Sequence, residues 1–182
     1  MPGRIEEAGP VLAITLLSLL AALWDVRTRR IPNWLTFAAS AAGIIYFSLH
    51  AGWGGLGLAF AGALVGLLAY VPLFAMGWMG AGDAKFLMAL GAWGGPRYAL
   101  NVAVLSIGVG AVFGFLQILV TGRLQDFVRR FWSFARSWTF RELEPLPFRG
   151  DRSLTLPFAV PMAVAAVGRS LDRLPEVVTW LR

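Results

Sequence analysis

Two aspartates, Asp25 and Asp83, are the residues of this 182-residue chain whose type and setting best suit chemistry. Each joins directly onto an apolar run: Val11–Trp24 leads into Asp25, and Asp83 opens the run that follows Gly80-Ala81-Gly82. A carboxylate in a membrane helix costs about 2.5–3.5 kcal/mol on insertion scales, so an acid kept there marks function. The other eight of the ten acids lie in polar tails, loops or a basic segment, where a solvated charge is the default. Two aspartates brought within a few ångströms cannot both ionise cheaply, so the pair holds a single proton and offers an acid and a base together. The ionised member takes a proton from water as it attacks a peptide carbonyl, and the protonated member hydrogen-bonds the developing oxyanion.

Each aspartate also has a plain reading. Asp25 can pair with Arg29, one helical turn on, or with Arg30, and merely end a helix. Asp83 follows Gly-Ala-Gly and precedes an apolar helix, which is how an Asp N-cap looks in sequence. Gly80 and Gly82 let an extended substrate backbone approach Asp83 and permit dihedrals that other residues resist, or else form an ordinary loop. Lys85 either tunes Asp83 or contacts substrate, or is a topogenic anchor whose stem snorkels to the headgroups. Pro32 and Asn33 shape a turn and cap the next helix, as structural support for the site. His50 reads as a loop residue on the face away from the aspartates.

Composition removes most other chemistry. With no Cys, disulfides, thiolate catalysis, zinc–thiolate sites and iron–sulfur clusters are excluded. A single His argues against His-based triads and multi-His metal sites. Sixteen Lys+Arg against ten Asp+Glu leave a charge of +6. In a soluble protein that excess would suggest nucleic acid; here its placement is topogenic, with a secondary attraction to anionic lipid, and no nucleic-acid partner is expected.

The elements that must position the aspartates are apolar helices. Hydrophobic residues make up 58% of the chain and the mean hydropathy is +0.68, above the roughly 45–50% apolar usage of soluble domains. The apolar runs predict an all-α, polytopic membrane bundle forming a single domain over 1–182. About six transmembrane helices are expected, near 11–26, 34–49, 56–79, 84–95, 98–120 and 154–168. The first run is read as a retained span and not a cleaved signal. Gly62 and Gly66 give the third span a small-xxx-small spacing suited to close packing. Residues 121–152 carry seven Arg and four acids among Phe127, Phe131, Trp132, Phe134 and Trp138, a pattern for a basic amphipathic helix on the bilayer surface. Placing Arg27, Arg29, Arg30, Lys85 and those seven Arg inside leaves five basic residues outside. Six spans with both termini outside then follow from the positive-inside rule. That count sets Asp25 and Asp83 on one face, the cytoplasmic one.

Two stretches carry a resemblance. DVRTRRIPNWLTF, with Asp25 shortly before Ile31-Pro32-Asn33, and GAGDAK, with G-x-G-D-x-K spacing, resemble the two signature motifs of bacterial type IV prepilin peptidases. The late PFAVPMA segment is similar to the family's last span, so the resemblance covers nearly the whole chain. It implies a GxGD aspartyl endopeptidase of the bacterial inner membrane. Such an enzyme removes the short basic leader of prepilins or pseudopilins at the cytoplasmic face, cutting after a Gly and just before the pilin's hydrophobic helix. By motif match Asp25 and Asp83 are the catalytic pair, Gly80, Gly82 and Lys85 complete the second motif, and no metal or organic cofactor is implied. Bifunctional members of the family also methylate the new N-terminus and carry paired Cys-x-x-Cys motifs between their first spans. Here the equivalent space is the short VRTRRIPN turn, so methyltransferase activity is not expected. The short form resembles the branch serving Flp-type, tight-adherence pili, and archaeal preflagellin peptidases are similarly short.

Other classes use the same acids differently. A proton-coupled transporter or channel component would relay protons through Asp25 and Asp83, but would place them near the midplane at a repeat interface, and no internal repeat is evident. A presenilin-like protease that cuts within a membrane helix would hold both deeper. A structural membrane subunit would use them only as caps and anchors, and would tolerate their loss.

Overall fold

The computed structural model describes residues 3–122 and 157–171, together with positions 125, 128, 129 and 132, and side chains from Gly9 onward. Its described elements are all helices: α1 (Gly3–Thr28), α2 (Asn33–Ala75), α3 (Ala81–Gly94), α4 (Pro96–Val120) and α5 (Ala159–Leu171). Three stretches, Gly9–Thr28, Asn33–Ala75 and Pro96–Val120, are long and apolar enough to cross a membrane, whereas α3 and α5 have 14 and 13 residues. This is an integral membrane protein by the length and apolarity of those helices. Its residues fall into two compact units, one formed by residues up to Gly110 with those from Pro157 onward, the other by Ala111–Leu156. The packing described next belongs to the first. The amphipathic helix expected over 121–152 lies, isolated positions apart, outside the described residues.

α2 departs in form from the two spans expected at 34–49 and 56–79. Its 43 residues are two helices that meet at Gly52, where φ is 59° and ψ −142°, a conformation costly for a residue that bears a Cβ. The chain doubles back there, as its contacts with α3 make plain. On the first arm Asn33 meets Lys85 and Ala39 meets Trp93, so that arm runs parallel to α3. On the second, Leu58 lies against Gly95, Gly62 against Gly91 and Gly66 against Leu87, so it runs antiparallel. The two expected segments are therefore the two arms of a helical hairpin, with α3 packed along both.

Missing side chains make that packing close. A Cβ on Gly62 would collide with the carbonyl oxygen of Gly91, and one on Gly66 with that of Leu87. The small-residue spacing seen in the sequence is thus used for backbone-to-backbone approach. α3 is enclosed accordingly, with Ala84, Phe86, Leu87, Ala89, Leu90 and Ala92 all buried, which no single helix face could supply.

α1 buries one stripe, Ile14, Leu17, Ser18, Ala21 and Asp25, at helical spacing, and exposes Leu12, Leu16, Leu19, Leu23 and Val26 on the opposite side. In a membrane the exposed stripe faces lipid. α1 runs antiparallel to the first arm, since Gly9 packs on Tyr46 while Trp24 meets Trp34 edge-on at 5.9 Å. α5 runs antiparallel to both α1 and α4. Its Ala159 lies beside Asp25, its Phe158 neighbour packs on Gly110, and Ala166 accepts a hydrogen bond from the Tyr98 hydroxyl at 2.8 Å. One end of the unit therefore gathers the end of α1, the start of α2, and the starts of α3 and α5. The opposite end holds Gly9, Tyr46 and the Gly52 turn. His50, expected in a loop, instead sits in the last turn of the first arm, stacked on Tyr46 with Nδ1 2.8 Å from that residue's carbonyl.

Candidate active site

Asp25 faces inward because it continues the buried stripe of α1, four residues beyond Ala21. It is 6% exposed, and its Oδ2 accepts the backbone N–H of Ala159 at 3.1 Å, in a buried contact that joins the end of α1 to the start of α5. The plain reading in which Asp25 only meets Arg29 is incomplete. Arg29 does bring its charge to bear on Asp25, but the carboxylate's hydrogen bond goes to α5. Arg29 also ends the helix through its backbone. With φ 52° it takes the left-handed conformation usual after a helix, and its N–H closes on the Asp25 carbonyl at 2.7 Å. The chain is thereby turned sharply toward Ile31 and Pro32.

Asp83 was expected as an N-cap of a helix beginning at 84. The helix begins earlier, at Ala81, so Gly80 is the N-cap and Asp83 is the third helical residue. From there its Oδ2 accepts the Gly80 N–H at 3.2 Å, the reach-back half of a capping box, in a first turn whose N–H groups otherwise lack partners. Gly80 has φ −79° and ψ 149°, and neither it nor Gly82 has a positive φ, so unusual dihedrals are not what these glycines provide. Gly82 instead packs against Ile31, where an added Cβ would stand 3.5 Å from the Ile31 Cβ. A Cβ on Gly80 would stand 3.3 Å from Asp83 Oδ2, so the absent side chain leaves room at that carboxylate.

The two motif stretches meet directly. Lys85 Nζ donates to Asn33 Oδ1 at 2.9 Å and lies 5.5 Å from the Phe37 ring centroid. Asn33 therefore does not cap α2 with its side chain; Pro32 occupies the N-cap position, where it has no group to cap with, and Asn33 serves α3 instead. Tyr70 is buried on the second arm of α2, where its hydroxyl meets Ser106 and donates to the Ala103 carbonyl at 3.2 Å. Asp25, Asp83, Gly80, Gly82, Lys85, Pro32 and Asn33 thus all lie at one end of the unit. Among the described residues no three His, Cys, Asp or Glu side chains come together as a metal-binding group.

Ala159, Phe37 and Tyr70 join this end without having been singled out in the sequence, and Ile31 was named there only as part of the first motif. Ile31 and Phe37 stand within or beside the first motif. Tyr70, a polar aromatic inside an apolar run, was a visible signal. Ala159 takes part only through its backbone, and no residue type advertises that.

Fold and site define a helical membrane protein with two carboxylates at one end of its bundle, each accepting a backbone N–H at a helix start. The sequence pattern of the type IV leader peptidase family matches residues 12–115, and the chain belongs to that family. It is 36% identical over 130 residues to a prepilin leader peptidase/N-methyltransferase of Aeromonas salmonicida, covering 65% of this chain and 43% of that one. A protein of the same description from Klebsiella pneumoniae is 36% identical over 102 residues, covering 50% of this chain and 42% of its own. Another from Xanthomonas campestris is 34% identical over 123 residues, covering 61% and 42%. The chain thus spans less than half the length of these curated relatives. No solved structure matches it.

Proposed function

We propose that this chain is a membrane aspartyl endopeptidase that removes the basic leader of type IV prepilins or pseudopilins at the cytoplasmic face of the bacterial inner membrane. Asp25 and Asp83 activate a shared water: one carboxylate takes its proton as it attacks the scissile carbonyl, and the protonated partner stabilises the oxyanion. The observation that carries this reading is the meeting of the two motifs at one end of the bundle, where Lys85 donates to Asn33 and each aspartate accepts a backbone N–H. Membership of the leader peptidase family supports the substrate class.

Six crossings are proposed: α1, the two arms of α2, α3, α4 and α5, with the aspartate end toward the cytoplasm and both termini outside. A pair at the bundle's end suits cleavage just outside a substrate's hydrophobic helix, where water is at hand, and fits a proton relay through the membrane poorly. The curated relatives are described as methyltransferases too, but these 182 residues contain no Cys, and we assign only leader cleavage to them.

Co-expression with prepilins encoded in the same genome, followed by a gel shift for leader removal, tests the proposal. Asp25→Asn and Asp83→Asn should each lower cleavage by about 100-fold or more, the scale of general acid–base catalysis. Cleavage at the wild-type rate by either variant would overturn the assignment.

A further inference from the structure

We infer that the first turn of α5 is the positioning element of the aspartate pair: the backbone N–H of Ala159 fixes Asp25 Oδ2 and leaves Oδ1 to take the proton from water. This rests on the leader-peptidase reading above.

The first N–H groups of any helix lack partners within it. At the start of α5 the N-cap position is filled by Phe158, which has no side-chain acceptor. The Ala159 N–H turns instead to a carboxylate 134 residues away in sequence, and both groups are buried. An N–H can only donate, and the positive end of a helix favours negative charge, so the contact suits Asp25 as the carboxylate that accepts a proton.

The donor is itself held firmly. Phe158 packs on Gly110 and meets the Tyr70 ring edge-on at 6.2 Å, Met162 is fully buried, and Tyr98 donates to the Ala166 carbonyl two turns beyond Ala159. Ser18 and Ala21, on the stripe of α1 that leads to Asp25, are fully buried as well. A carboxylate hydrogen-bonded to so constrained a backbone is held in orientation, which is what a catalytic base requires. The PFAVPMA segment thereby gains a role that its apolar residues do not suggest: it aims Asp25.

Ala159 is the first helical residue, the position where proline is best tolerated because its missing N–H breaks no helical bond. Ala159→Pro therefore removes the donor while leaving α5 able to form, and Ala159→Gly keeps the donor. With purified full-length protein in detergent and a prepilin substrate, Ala159→Pro should lower kcat by about 10–100-fold with KM within about twofold, the cost of a misplaced catalytic group. Ala159→Gly should keep kcat near the wild-type value. A folded Ala159→Pro protein, judged by its thermal unfolding, with wild-type kcat would overturn the inference, as would an equal loss in Ala159→Gly.

A second measurement decides even if the proline variant does not fold or the wild type cleaves no prepilin. In alanine-labelled protein, the Ala159 amide proton should move upfield and exchange faster with solvent in Asp25→Ala than in the wild type. An unchanged amide signal would overturn the inference. Absence of cleavage by the wild type, beside the expected amide shift, would count against the leader-peptidase reading and leave the Ala159–Asp25 contact standing.

Discussion

Lys85 has two neighbours that a headgroup anchor does not need, the Asn33 amide oxygen and the face of Phe37. Its ammonium joins the first turn of α3 to the first turn of α2 and so ties the segment bearing Asp83 to the one that follows Asp25. The hydrogen bond is exposed, which holds its worth to about 0.5–1.5 kcal/mol. We expect Lys85→Met and Asn33→Ala each to weaken leader cleavage moderately, and the double variant to do little more than either alone. A double-mutant cycle on kcat/KM would measure this, and strict additivity would count against a working bond between them. The placing of Asp25 at the end of an apolar helix was legible in the sequence; its inward aim was not, because α1 is apolar on every side and only burial separates Ile14, Leu17 and Ala21 from Leu12, Leu16 and Leu19. Its partner was not, since a backbone N–H leaves no mark in residue type. Asp83 was legible as an acid at a helix start, but a small shift in that start was enough to confuse N-cap with third position.

Among the helices, α3 is the one whose environment its length conceals. Fourteen residues span about 21 Å, short of a bilayer core of about 30 Å, yet from Phe86 onward the helix is apolar on every side. Both features make sense for a helix wrapped by the arms of α2 and bordered by α1 and α5. The spacing of Gly62 and Gly66 announced close packing but not its partner; Gly91 and Leu87 supply it. The turn between the arms was legible as a glycine cluster, although Gly54, Gly55 or Gly57 could have served as well, and only the φ of 59° singles out Gly52. A contrast between glycines tests the packing. Gly62→Ala must push the Gly91 backbone aside and should destabilise by about 1–3 kcal/mol, read as a lower unfolding temperature in detergent. Gly57→Ala, with open space around the new methyl, should be neutral or gain up to about 1 kcal/mol in helix propensity. Equal effects at both positions would mean that the arms do not close on α3.

At the scale of the whole molecule, two independent lines bear on orientation. Hydropathy and Arg placement predict alternating spans with the aspartates on the positive side. The contacts within the first unit give helices whose directions alternate in the same order, with Asp25, Asp83 and the start of α5 at one end. Neither line uses the other, since the positive-inside count knows nothing of side-chain contacts. The absence of Cys makes the resulting topology open to direct measurement, because any introduced thiol is the sole target of a maleimide. In intact cells carrying single substitutions, Thr28→Cys and Met76→Cys, both exposed at the aspartate end, should resist a membrane-impermeant maleimide and react only after the cytoplasm is opened. His50→Cys, just before the Gly52 turn, and Arg97→Cys, just after the α3–α4 turn, are exposed at the other end and should react from outside. Labelling of Thr28→Cys and Met76→Cys from opposite sides would separate the two aspartates across the membrane and remove the shared water on which leader cleavage depends. Labelling of both from outside would keep the pair intact but put it out of reach of a leader held in the cytoplasm, so the side of reaction tests the catalytic pairing and the substrate's approach in one measurement.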